Sequence, residues 1–203
     1  MNDFTVIVFD LGNVLIPFDY NIIINKLEAI EIGLGERFYK FYKNNYNVHR
    51  EYEKWAITTE KFIEIMLGWI DNKIDAETFC KIYSEIFTVN TEVTELLPLL
   101  KKNYKLVLLS NTNYIHQKYG WQKYSFINNF DKLILSHEVH AVKPEPEIYK
   151  AVMDFTKEPA AKHLFIDDVE EYVEGAKEIG WDAIQYISYN KLQNDFTDRN
   201  IKF

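Results

Sequence analysis

Four stretches place reactive side chains at the ends of apolar runs or beside a proline. Asp10 closes Thr5-Val6-Ile7-Val8-Phe9, and Ser110-Asn111-Thr112 follows Leu106-Val107-Leu108-Leu109. Asp167-Asp168 closes Leu164-Phe165-Ile166, and Lys143-Pro144 lies in a loop beyond Leu133-Ile134-Leu135. Three carboxylates gathered at one place repel one another and raise their own pKa values unless a cation balances them. Lys143 supplies one positive charge, and a hard divalent ion such as Mg²⁺, which takes oxygen ligands and shares phosphate oxygens, is the natural complement. A carboxylate beside a neutralised phosphoryl group is a competent nucleophile through an aspartyl-phosphate. The Ser110 hydroxyl and nearby backbone N–H groups suit the phosphoryl oxygens, while Lys143 offsets charge in the transition state. Taken singly, each residue has a plain alternative: Asp10 starts a turn, Ser110 caps a helix, and Asp167-Asp168 is a solvated acidic turn.

The elements that carry these residues decide between the readings. The apolar runs lack polar interruption, as in strands buried on both faces, with a further strand over Ala183–Ile187. Helical patterns alternate with them from residue 91 onward, which implies parallel strands and right-handed crossovers. In such a sheet every strand ends on the same edge, so Asp10, Ser110, the Lys143 loop and Asp167-Asp168 are expected on one rim. Between the first and second strands the pattern is helical throughout. Phe62, Ile65, Met66 and Trp69 form one stripe, and Phe79, Ile82, Tyr83 and Ile86 form another, with Asp75 placed to cap the second helix. Asp19 follows a Pro17 breaker and is read as a helix cap. Residues 91–103 read as one helix kinked by Pro98, and residues 145–155 as another. Ile179-Gly180 ends a further helix, and the polar tail from Asn190 receives no element. The expected organisation is an α/β, Rossmann-like parallel-sheet core over residues 1–16 and 91–203, with a helical cap over residues 17–90 inserted after the first strand.

The bulk numbers agree with one such unit. The chain has 203 residues, 47% hydrophobic and 16% aromatic, which is ample for a core with a large insertion. A net charge of −8 and a pI near 5.2 argue against a general affinity for nucleic acid or an anionic membrane. The single cysteine, Cys80, excludes an internal disulfide and fits a reducing cytoplasm. No signal-peptide pattern and no membrane-length apolar run is found. A cytoplasmic monomer or homodimer acting on a small molecule is the expectation.

Phe9-Asp10-Leu11-Gly12-Asn13-Val14, Leu109-Ser110-Asn111-Thr112, Val142-Lys143-Pro144 and Phe165-Ile166-Asp167-Asp168 resemble the four ordered motifs of the haloacid dehalogenase-like (HAD) hydrolase superfamily. The resemblance spans nearly the whole chain, and the helical insertion is similar to that family's first class of cap. It implies Asp10 as nucleophile and Mg²⁺ ligand, and Ser110 as the phosphoryl-binding residue with Asn111 beside it. It further implies Lys143 as the bridge between nucleophile and phosphate. Asp168 would be a metal ligand, Asp167 another either directly or through water, and Gly12 would lend its backbone carbonyl to the metal.

The chain departs from the common pattern at Gly12, where most phosphatases of the family carry an Asp whose side chain protonates the leaving group. Such help is worth about 10²–10⁴-fold. The Asp-x-Gly-Asn-Val variant resembles a branch that includes sugar phosphate phosphatases, among them ones acting on glucose 1-phosphate. The expected function is therefore Mg²⁺-dependent hydrolysis of a small phosphorylated metabolite, in particular a sugar phosphate. Two alternatives stand beside it: a metal-independent haloacid dehalogenase, disfavoured by Asp167-Asp168, and a binding or regulatory protein with little turnover, favoured by Gly12. Asp19 as a substitute acid is a further reading. Trp69 is assigned to packing, Trp55 is left open between packing and sugar stacking, and His137 and His140 are read as surface or packing residues.

Overall fold

The computed structural model describes residues 4–202, and its centre is a five-stranded parallel sheet in the order β3-β2-β1-β4-β5. The strands are β1 (Val6–Phe9), β2 (Lys105–Ser110), β3 (Lys132–Leu135), β4 (His163–Asp167) and β5 (Asp182–Gln185). Period-two alternation splits their side chains between two layers. Ile7, Phe9, Leu106, Leu108, Leu164 and Ile166 enter one core, and Val6, Val8, Val107, Leu109 and Phe165 enter the other. Both faces are covered, which explains why these strands read as continuous apolar runs.

The first strand sits in the middle of the sheet, and its register sets the rim. Phe9 lies opposite Leu108 on one side and Ile166 on the other, so Asp10 emerges beside Ser110 and Asp167. The Asp10 N–H still donates to the Ile166 carbonyl at 2.9 Å, which ties the turn to the sheet edge. Asn13 follows at φ 53°, a left-handed conformation that asparagine tolerates.

Five helices follow β1 and form a bundle: α1 (Asn21–Ile30), α2 (Leu34–Asn44), α3 (Tyr46–Glu53), α4 (Thr59–Trp69) and α5 (Ala76–Ser84). Their apolar stripes converge on a third cluster that includes Ile23, Leu27, Phe38, Tyr52, Phe62, Met66, Phe79 and Tyr83. Trp69 is half-buried against this cluster and stacks on Phe41, as packing requires. Asp75 caps α5 by accepting from Thr78 N–H at 2.9 Å. The chain enters and leaves this bundle through two segments paired antiparallel at Phe18 and Phe87. Asp19 N–H donates to Ile86 O, and Thr88 N–H to Pro17 O.

Three local expectations need correction. Residues 91–103 form two short helices, α6 (Thr91–Thr94) and α7 (Leu97–Leu100), because Pro98 starts the second instead of kinking one long helix. The tail contains α11 (Tyr189–Asp198), whose Ser188 cap accepts from Lys191 N–H and whose Leu192 and Phe196 are buried. The fifth strand is Asp182–Gln185, not 183–187, and Ile187 is exposed. The remaining α-helices are α8 (Ser136–Val139), α9 (Pro146–Thr156) and α10 (Glu170–Glu178). No helix among the described residues is long and apolar enough to cross a membrane.

Phe62 is fully buried and stacks on Tyr52 with ring centroids 4.2 Å apart. Phe62→Ala is expected to cost about 3–5 kcal/mol of unfolding free energy. Urea denaturation followed by circular dichroism checks this, and a loss below about 1 kcal/mol would place Phe62 outside a packed core.

Candidate active site

The strand register brings the seven sequence-selected residues to one end of the sheet, with the Lys143 ammonium among them. Lys143 Nζ donates to Asp10 Oδ1 and to Asp167 Oδ2, each at 2.5 Å, and the lysine is 1% exposed. Asp167 Oδ1 accepts from Val169 N–H at 2.9 Å, so both of its oxygens are engaged within the protein. Asp168 Oδ2 accepts from Asn13 Nδ2 at 3.0 Å. Asn111 clamps the Lys143 backbone, accepting its N–H at 2.7 Å and donating to its carbonyl at 3.1 Å. The amide expected beside the phosphate therefore holds the lysine loop in register.

Ser110 is 2% exposed and ends β2, well before the next helical turn at His116–Trp121. That turn takes its cap from Asn113, whose Oδ1 accepts His116 N–H at 3.0 Å. The capping alternative for Ser110 is thus excluded; its hydroxyl donates to the Asn111 carbonyl at 3.4 Å, and the residue lines the common cavity. Gly12 completes the seven. A Cβ added there would lie 3.2 Å from the Phe18 ring and 3.8 Å from Asp10 Oδ2. The Phe18 ring takes up space beside Gly12, so any side chain at this position requires the ring to yield.

The electrostatics follow from counting charges. Three carboxylates, Asp10, Asp167 and Asp168, face one ammonium, so two negative charges are uncompensated. Burial, with Asp167 and Asp168 adding repulsion, pushes Asp10 well above the usual carboxylate range despite the pull of Lys143. Asp168 is raised by burial and by Asp167. Burial works against the Lys143 charge, but Asp10 and Asp167 outweigh it, and the ammonium is held above its ordinary value. One ammonium among three carboxylates leaves a deficit of positive charge, which a divalent ion relieves. The donor set fits: carboxylate oxygens of Asp10, Asp167 and Asp168 lie within 4.8 Å of one another, and an all-oxygen set suits Mg²⁺.

A cavity of about 220 Å³ opens over Asp10. Its floor includes Gly12, Ser110, Asn111, Lys143 and Asp168, and its roof includes Tyr46, His49, Arg50 and Glu53 of α3. The roof residues were not selected from the sequence. Their spacing of three, one and three residues on one helix was the available signal, since it puts them on one face. Asp19 stays outside the cavity lining, and its Oδ1 accepts from Asn21 N–H at the start of α1. Trp55 is also outside it, at φ 59° and packed between Tyr52 and His137. His137 is buried and bonded to Thr112 O and Gln117, a packing role, whereas His140 is exposed at φ 58°.

Residues 7–186 match the haloacid dehalogenase-like hydrolase family. The chain belongs to this family. It is 25% identical over 189 residues to a D-ribitol-5-phosphate phosphatase of Bacteroides thetaiotaomicron, covering 88% of this chain and 90% of that one. It is 23% identical over 176 residues to a phosphorylated carbohydrates phosphatase of Thermotoga maritima, covering 82% of each. A HAD family enzyme of B. thetaiotaomicron shares the fold at a TM-score of 0.82 and 28% identity, covering 95% of this chain and 98% of that one. The same enzyme in complex with magnesium and inorganic phosphate superposes at a TM-score of 0.79 and 28% identity, covering 93% and 98%.

The raised pKa of Asp10 has a measurable consequence. The folded state holds this proton above the unfolded value of 3.8, so ionisation of Asp10 works against the fold and stability is lost as pH rises. Asp10→Asn is expected to melt at a higher temperature than the wild type in chelator, with a larger gap at about pH 8 than at about pH 5. A gap that shrinks with rising pH contradicts the charge count.

Proposed function

We propose that this HAD hydrolase is a Mg²⁺-dependent phosphatase of a small phosphorylated carbohydrate. The observation that carries the reading is the buried Asp10–Lys143–Asp167 cluster with Asp168 beside it, open to a cavity large enough for a small ester. The named phosphatases among its relatives and the magnesium- and phosphate-bound enzyme of B. thetaiotaomicron support it. The extra carboxylates weigh against a haloacid substrate, whose own carboxylate they would repel.

Asp10 and Asp168 with the Gly12 carbonyl would hold the ion, while Asp167, both oxygens of which are engaged, fixes Lys143 in place. When bound, Mg²⁺ neutralises the excess negative charge and polarises the phosphoryl oxygens. Asp10 Oδ2 is the oxygen not bonded to Lys143; it attacks phosphorus to give an aspartyl-phosphate as the ester P–O bond breaks. The departing oxygen takes its proton from water, and a second water then cleaves the aspartyl-phosphate to free Asp10 and inorganic phosphate. Lys143 balances the charge that builds on the phosphoryl oxygens, held to its position by the Asn111 clamp. Ser110 donates its hydroxyl to one of those oxygens. Residues 17–90 act as the cap that covers the cavity and excludes water. With glycine at position 12, no side chain there protonates the departing oxygen, so basic leaving groups are turned over slowly.

Hydrolysis of a chromogenic phosphate ester, and then of a panel of sugar and polyol phosphates, tests this reading. Activity should require Mg²⁺ and should fall by about 10³-fold or more in Asp10→Asn. Hydrolysis that survives both chelation and that substitution would sink the assignment.

A further inference from the structure

Asn13 stands between two of the groups proposed to hold the ion, the Gly12 carbonyl and the Asp168 carboxylate. The turn that carries it is closed by backbone bonds: Asn13 N–H donates to Ile16 O at 3.1 Å, Ile16 N–H to Leu11 O at 2.9 Å, and Val14 N–H to Gly12 O at 2.6 Å. That turn sets Asn13 at φ 53°, in the left-handed region. From there its Nδ2 donates to Asp168 Oδ2 at 3.0 Å, across 155 residues of chain. Gln185 of β5 pins the same loop a second time, its Nε2 donating to the Asp168 carbonyl at 3.1 Å. Asp167 has both oxygens engaged by Lys143 and Val169, so Asp168 is the acid of the pair with an oxygen to offer. Asn13 and Asp168 both line the cavity over Asp10.

Asparagine meets two demands at this position. It tolerates a positive φ better than most side chains, and its amide donates a hydrogen bond without bringing a charge. An ammonium on the same carboxylate would compete with the ion, and another carboxylate would repel Asp168. Glycine meets the first demand only, and alanine meets neither. A partner that orients a metal ligand from outside the coordination sphere is worth about 10–100-fold in metal affinity. Resting on the Mg²⁺-dependent reading above, we infer that Asn13 is the positioning residue of the metal site. Its amide takes Asp168 Oδ2 and so presents Oδ1 to the ion beside the Gly12 carbonyl. The same contact ties the loop after β1, with Asp10 and Gly12, to the loop after β4, with Asp168. The spacing of the proposed ligands is therefore set before the ion arrives.

Isothermal titration calorimetry of Mg²⁺ into chelator-stripped protein tests this without turnover. Asn13→Gly keeps the left-handed turn and removes the amide, so it should bind Mg²⁺ about 10–100-fold more weakly than the wild type. Asn13→Ala should lose a similar factor in affinity and should also melt at a lower temperature in chelator, because alanine adds strain at φ 53°. A purely structural role would lower the melting temperature and leave the Mg²⁺ dissociation constant where it was. Equal dissociation constants for the wild type and Asn13→Gly overturn the inference and leave the phosphatase reading standing. A loss of affinity confined to Asn13→Ala does the same, since it belongs to the backbone and not to the amide. An Asn13→Gly variant that does not fold in chelator assigns the contact to the fold and also overturns the inference. A wild type that binds no Mg²⁺ overturns both readings.

Discussion

The ammonium of Lys143, buried between Asp10 and Asp167, is the contact on which the rest of the site depends. Isolated carboxylates at the carboxyl ends of two adjacent buried strands would be severely destabilising. One lysine makes their burial tolerable, and the chain fixes that lysine from three sides. Asn111 clamps its backbone, Asp167 anchors its head, and the Phe165 and Tyr172 rings lie beside the ammonium at 5.5 and 5.0 Å. One charge is not enough for three acids. That shortfall keeps Asp10 in a state that a divalent cation and a phosphoryl group can exploit.

The sheet explains why the shortfall falls where it does. Placing β1 between β2 and β4 makes Asp10 a neighbour of Ser110 and Asp167, although they are separated by 100 and 157 residues in the chain. The same placement sends the chain away from the sheet immediately after Asp10, and the helices that follow return α3 over the cavity. A single topological choice therefore supplies the floor and the roof of the cavity. The two have different chemistry: charge imbalance below, and a matched ion pair above.

Much of this was legible in the sequence because it is local. Buried parallel strands read as apolar runs, and the first polar residue after each run marks the rim, which is how Asp10, Ser110 and Asp167 were found. What was missed depends on partners distant in the chain. Arg50 and Glu53 look like an ordinary solvated i,i+3 pair until α3 is seen to close on Lys143. The Asn111 clamp is invisible because it joins a side chain to a backbone 32 residues away. Pro98 misleads because a proline at the start of a helical turn and one inside a helix have the same signature in isolation. The last helix leaves little trace in the sequence because Leu192 and Phe196 are too few to stand out among polar residues, and it is their burial in the core that stabilises it.

The central claim is that the Asp10 carboxylate forms a covalent bond to phosphorus. Rapid quenching in acid during turnover with Mg²⁺, followed by peptide mass spectrometry, tests it directly. The peptide containing Asp10 should gain the mass of one phosphoryl group, and the gain should vanish in Asp10→Asn and in chelator. A phosphoryl group carried on another residue, or its retention after Asp10→Asn, would contradict the account.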